Sequence, residues 1–100
     1  ILAAAGLLDG YRATSNKKAF HWVRSVRPSV EWTPVARWVH DRSRWTSSGV
    51  SAGMDMTHAL IADTCGIDVA DTVARLAELE VHTDPSWDPF AAYYNLGTTN

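Results

Sequence analysis

The sequence predicts a mixed helix-and-strand fold, α/β or α+β, built as one small unit. Three observations predict it. Apolar residues recur at helical spacing in some segments and alternate with polar residues in others. The predicted elements run helix, strand, helix, hairpin, helix, helix, with three or four short strands among more helix than strand. The composition is globular: of 100 residues, 46% are hydrophobic and 20% charged, values that exclude a disordered tail.

Taken in order, Ile1 to Leu8 is rich in Ala and Leu and reads as helix. Nothing caps it, since Ile1 is already apolar and in phase with Ala5 and Leu8, and Asp9-Gly10 is expected to close it. Tyr11 to Thr14 is a short strand candidate. Thr14-Ser15-Asn16 offers caps for a helix to about Arg24, with Ala19, Phe20 and Val23 on one face. Pro28 and Pro34 bracket an expected edge strand at Val30-Glu31-Trp32. Arg37 to His40 and Arg44 to Ser47 alternate polar with aromatic or β-branched residues around Asp41-Arg42-Ser43, the pattern of a β-hairpin. A helix is expected from Ser51 to Cys65, with Gly66 just past its end. Asp68 is expected to cap a last helix with Val69, Val73, Leu76 and Leu79 apolar. Pro85 and Pro89 are expected to end regular structure. Residues 1–90 thus read as the folded part and 91–100 as a frayed tail.

Charge is segregated. Residues 1–50 carry eight Lys/Arg and three acids, a net of +5, whereas residues 51–100 carry one Arg and eight acids, a net of −7. The overall charge of −2 disfavours a generic nucleic-acid binder, although Trp22, Trp32, Trp38 and Trp45 alternate with arginines as a base-stacking surface would. The simpler expectation is that the tryptophans pack and the arginines pair with the acidic half. No apolar run approaches the roughly 18 residues of a membrane span. The single cysteine, Cys65, excludes an intramolecular disulfide and suits a cytoplasmic setting.

Gly49-Val50-Ser51-Ala52-Gly53 matches the G-x-S-x-G pattern that exposes a nucleophilic serine on a strand-to-helix turn. The preceding strand, Arg44 to Ser48, is too polar to be the central strand such an elbow needs. The expectation is therefore that Ser51 caps the helix and Asp55 complements its dipole. Cys65 and His58 share a helical stripe but lie about 10 Å apart along the axis, too far for a dyad. Cys65 is expected to be buried and His58 partly buried. The histidines His21, His40, His58 and His82 show no ligand spacing, so no metal is called for. Between His82 and Phe90, the Asp-x-Pro and Asp-Pro pairs are expected to start turns, with Trp87 and Phe90 anchoring the tail.

Three ordered segments resemble the ThiJ/PfpI family of the class I glutamine amidotransferase-like superfamily, in its isonitrile-hydratase-like branch. They are AAAGLLDGYRATSNKKAF (Ala3 to Phe20), ARWVHDRSRWTSSGVSAGMDM (Ala36 to Met56) and HTDPSWDPF (His82 to Phe90). The resemblance implies an α/β fold, with this chain as the C-terminal half of a flavodoxin-like three-layer sandwich carrying a β-hairpin and two C-terminal helices. It implies a nucleophilic cysteine on an elbow upstream of Ile1, so that this chain opens inside the elbow's helix and holds no catalytic residue of its own. Neither Cys65 nor Ser51 matches that nucleophile.

The resemblance also implies a small electrophilic substrate such as an isonitrile, no cofactor, and a homodimeric parent protein. Thr14, Ser15 and Asn16 are the implied pocket residues, at the C-terminal end of a strand where open α/β sheets bind ligands. Ser48, Gly49 and Val50 form a loop near the pocket or the dimer interface. Some branches carry histidine where Asn16 stands; an amide cannot serve as a general base near neutral pH. That departure favours, as an alternative, a non-catalytic ligand-sensing domain. Leu2, Leu7 and Leu8 are expected to expose an apolar face and limit solubility.

Overall fold

The computed structural model describes residues 1–97. Its elements are β1 (Arg12–Ala13), α1 (Phe20–Val26), β2 (Glu31–Trp32), β3 (Trp38–Asp41), β4 (Arg44–Ser47), α2 (Val50–Cys65), α3 (Ile67–Leu76) and α4 (Pro89–Tyr93). Helix and strand are mixed, as the pattern predicts, and the strands form two small sheets. β1 and β2 pair in parallel across α1, while β3 and β4 pair as an antiparallel hairpin.

The two sheets meet along β1. On one side, the carbonyls of Tyr11 and Ala13 accept the amides of Glu31 and Thr33. On the other, the amides of Arg12 and Thr14 donate to side chains of the hairpin: Arg12 to Asp41 Oδ2 at 2.7 Å and Thr14 to Thr46 Oγ1 at 3.0 Å. Successive residues of a strand point their backbone groups to opposite edges, so one edge of β1 meets β2 and the other the hairpin. Ala3, Leu8, Ala13 and Val30 form a small apolar cluster against this sheet, with Trp32 packed on it.

The N-terminal segment differs from the expected helix. Ala5 N donates to Ile1 O, as in an α-helix, but the turn closes at Gly6 rather than at Asp9-Gly10. Gly6 N donates to Ala3 O at 3.0 Å and Leu7 N to Leu2 O at 3.1 Å, the paired bonds of a helix end closed by a left-handed residue. Gly6 supplies that residue, at φ +77°. The closure turns Leu8 into the core, so only Leu2 and Leu7 of the three expected leucines are exposed.

Helix α1 starts four residues after Asn16. Asn16 Oδ1 accepts the Ala19 amide at 3.3 Å and opens a turn that leads into it. Phe20 is fully buried, whereas Trp22 stays exposed, unlike the packing expected of the tryptophans. Helix α2 begins at Val50, with Gly49 as its N-cap in an extended conformation and no side-chain cap bond, so Ser51 is exposed and does not cap it. Asp55 is buried deep in the fold rather than serving the helix dipole at the surface. Gly66, at φ +97°, ends α2 and is also the N-cap of α3, so Asp68 lies in the first turn instead of capping. Helix α3 turns Ala70 and Ala74 inward and leaves Val69, Val73 and Leu76 exposed.

Regular structure resumes at Pro89, against expectation. Asp88 Oδ1 accepts the Ala91 amide at 3.1 Å, and Pro89 occupies the first helical turn, where its missing N–H costs nothing. Ala91 is fully buried, so the start of the expected frayed tail is docked, while residues 98–100 of that tail lie outside the described residues. Cys65 also departs from expectation: it is exposed at the end of α2. No helix among the described residues is long and apolar enough to cross a membrane.

Candidate functional site

The C-terminal end of β1 runs into a buried polar knot. Thr14 is buried, and its Oγ1 donates to Thr33 O at 2.8 Å. Lys17 folds back over it, donating from Nζ to Thr14 Oγ1 at 2.6 Å and to Ser15 O at 3.1 Å. The same ammonium lies 3.3 Å from Asp88 Oδ2, with both side chains 2% exposed. Burial pushes the Lys17 ammonium below its ordinary pKa, and the Asp88 carboxylate pulls in the opposite direction. Asp88 Oδ2 also accepts the Ala36 amide at 3.1 Å. One lysine and one aspartate thereby join β1, the segment before the hairpin and the start of α4.

Two adjoining cavities open beside this knot. One, of about 220 Å³, is lined by Asn16, Lys17, Lys18, Ser48, Gly49, Phe90 and Tyr94. The other, of about 230 Å³, is lined by Arg37, Ser48 to Ala52, Asp88 and Phe90. Ser48, Gly49 and Phe90 belong to both. The fold therefore brings Asn16 together with Ser48 and Gly49 in one cavity and places Val50 in the next. Thr14 and Ser15 line neither cavity: Thr14 is buried in the bonds to Thr33 and Lys17, and Ser15 contributes its carbonyl to Lys17. A larger cavity of about 440 Å³ lies elsewhere, between α2 and α3.

Three residues of this region are absent from the pocket expected of the sequence. Lys17, Asp88 and Arg37 are charged, and burial of such groups is legible only when their partners are known. Arg37 Nε donates to Asp55 Oδ2 at 2.6 Å, and Asp55 Oδ1 accepts the His82 amide at 3.1 Å. The tail is held by these buried charges more than by Trp87 and Phe90, which are 38% and 59% exposed. The local signal for α4 is Asp88-Pro89 followed by apolar residues, the pattern of a helix start.

The chemistry that this set offers is binding. Asn16 spends its carbonyl oxygen on the Ala19 amide and keeps its NH₂ donors. Ser48 offers a hydroxyl, Lys18 a cation, and Phe90 and Tyr94 ring surfaces. Cys65 lines neither cavity. Among the described residues, no group of three or more His, Cys, Asp or Glu could hold a metal ion.

Comparison with known proteins places these features. The isonitrile hydratase of Pseudomonas putida is 36% identical over 90 residues, which span 88% of this chain and 36% of that protein. The chain thus spans little more than a third of this curated relative. In solved structures, the fold resembles an AraC family transcriptional regulator from Pseudomonas putida. The TM-score is 0.66 at 24% identity, over 76% of this chain and 40% of that one. No protein-family model matches the chain. The chain is thus a homologue of isonitrile hydratase over a limited span and shares the fold of part of a transcriptional regulator.

Proposed function

We propose that this chain is the ligand-facing part of a ThiJ/PfpI-like domain, forming one wall of a small-molecule site. The observation that carries this reading is the meeting of Asn16 with Ser48 and Gly49 in one cavity, at the C-terminal end of β1. In this reading the parent protein is a cysteine-dependent enzyme acting on a small electrophile, with its nucleophile outside this chain. Homology to isonitrile hydratase supports hydration of an isonitrile, in which water adds across the isocyano carbon and nitrogen to give an N-substituted formamide. A cytoplasmic homodimer belongs to the same reading.

A second reading, a ligand-sensing domain without catalysis, has its own support. Asn16 is an amide and its oxygen is engaged in the turn before α1, so it offers no general base. The resemblance in fold to an AraC family regulator points the same way.

Gly49 provides the test. Its φ is −78°, open to any residue, and an added Cβ would meet nothing within 4 Å. Gly49→Leu in the full-length protein therefore projects into the cavity without backbone strain, although leucine is a poorer N-cap than glycine for α2. The expected outcome is a slightly lowered melting temperature, from the less favoured N-cap residue, with loss of formamide production from an alkyl isonitrile. If wild-type protein binds small molecules in a Gly49-dependent way but turns over no isonitrile, the sensing reading stands. Turnover or binding that ignores Gly49→Leu would overturn the site itself.

A further inference from the structure

A fourth cavity, separate from this site, lies between the hairpin and α2. It has a volume of about 300 Å³, and Trp38, Trp45, His58, Asp63, Ile67 and Thr83 contribute to its walls. The register explains why two tryptophans converge there. Trp38 pairs with Ser47 and His40 with Trp45, so the alternation of strand side chains puts Trp38, His40 and Trp45 on one face of the hairpin. Trp38 is buried, and Trp45 is half-buried.

Asp63 is the one carboxylate among the residues lining this cavity. His40 stacks on Trp45 with centroids 3.7 Å apart and planes 12° apart, which fixes the indole. His58 directs Nε2 at Asp71 Oδ1, 3.0 Å away, so its ring nitrogen is already engaged. Asp63 is different: among the described residues its carboxylate makes no hydrogen bond or ion pair. Ala59, Ala62 and Ile67 supply aliphatic surface, and Thr83 adds a hydroxyl. Indole faces attract cations through the ring quadrupole, and an unpaired carboxylate adds to that attraction. Beyond the Asp63 carboxylate and the Thr83 hydroxyl the walls offer few hydrogen-bond acceptors, so a cation with no N–H groups to satisfy fits better than a primary ammonium.

We propose that this cavity binds a small organic cation of the quaternary alkylammonium class, held between Trp38 and Trp45 and neutralised by Asp63. Its volume lies at the low end of ligand pockets, which suits a head group of choline size.

The test is a titration of the full-length protein with choline chloride, followed through the indole N–H resonances in ¹H–¹⁵N spectra. Matched sodium chloride and 3,3-dimethyl-1-butanol, the uncharged isostere of choline, serve as controls. Choline is expected to shift the Trp38 and Trp45 resonances and leave those of Trp22, Trp32 and Trp87 in place. Trp45→Leu is expected to weaken binding about 2- to 5-fold or more, the range for one lost cation–π contact. Asp63→Asn, a surface change that spares the fold, is expected to weaken it by a similar factor. Equal binding of the uncharged alcohol would overturn the charge preference. Absence of indole shifts, or affinity indifferent to Asp63→Asn, would overturn the site.

Discussion

Arg37 and Asp55 are both buried, and Arg37 Nε donates to Asp55 Oδ2 at 2.6 Å, tying the entry to β3 to the first half of α2. The pair also holds the segment before α4. Arg37 N donates to Pro85 O at 2.6 Å, its guanidinium lies 5.2 Å from the centroid of the Trp87 ring, and Asp55 Oδ1 takes the His82 amide. Removing one member leaves the other charge buried without its partner. Asp55→Ala is therefore expected to cost about 3–5 kcal/mol, whereas the double change Arg37→Met with Asp55→Leu is expected to cost less than that single change. Urea denaturation of both variants checks the order, and a double variant less stable than Asp55→Ala would refute it.

Lys17 and Asp88 form a second buried pair, and their partners make them unequal. Lys17→Met leaves Asp88 accepting the amides of Ala36 and Ala91. Asp88→Ala instead strips two amides of an acceptor, removes the cap of α4 and leaves a buried ammonium. The aspartate variant is expected to be the less stable by about 1–3 kcal/mol, the range for unsatisfied buried groups. Thermal melts of the two variants measure the difference.

Much of this architecture is readable along the chain because its causes are local. Alternation marks β3 and β4, helical spacing marks α2, and Gly66 ends α2 where a left-handed residue is needed. The features that depart from the sequence pattern depend on partners distant in sequence. Asp55 lies near a helix start and resembles a surface dipole residue until Arg37, 18 positions away, arrives beside it. Lys17 and Asp88 come from opposite charge halves, so the +5 and −7 segregation is partly an internal pairing. At the candidate site, Asn16 and the Ser48–Val50 loop follow from motif position, but the roof made by Phe90 and Tyr94 depends on α4 docking back. Gly6 is a local helix-end signal, but the high helix propensity of the Ala/Leu run around it masks that signal.

Cys65 offers a direct check on the end of α2. It is exposed, and its thiol sulfur lies 3.6 Å from Thr64 Oγ1. The folded protein is expected to consume one equivalent of a thiol reagent at Cys65 without denaturant. Cys65→Ser is expected to change stability by no more than about 0.5 kcal/mol, as for other surface substitutions. Labelling of Cys65 only after unfolding would mean that α2 ends in a covered position.

Acid should loosen the N-terminal turn before the core. Arg27 donates from Nε to Asp9 Oδ1 at 2.8 Å and from a terminal nitrogen to Oδ2 at 2.6 Å. These hydrogen bonds hold the Asp9 carboxyl below its ordinary value of 3.8, with the Arg27 charge acting in the same direction. A carboxylate with a depressed folded pKa contributes stability that is present above its unfolded value and lost as pH falls through the folded one. Asp41, bound by the Arg12 amide and Arg42, and Asp84, bound by Ser86, follow the same sign. Melting temperature is therefore expected to hold steady above about pH 5 and to fall below the ordinary carboxylate value. Asp9→Asn removes one of these groups, so the variant should melt lower than wild type near neutral pH and converge with it in acid. A gap between the two proteins that stays constant from pH 6 to pH 2 would show that the Arg27 pairing contributes nothing to folding.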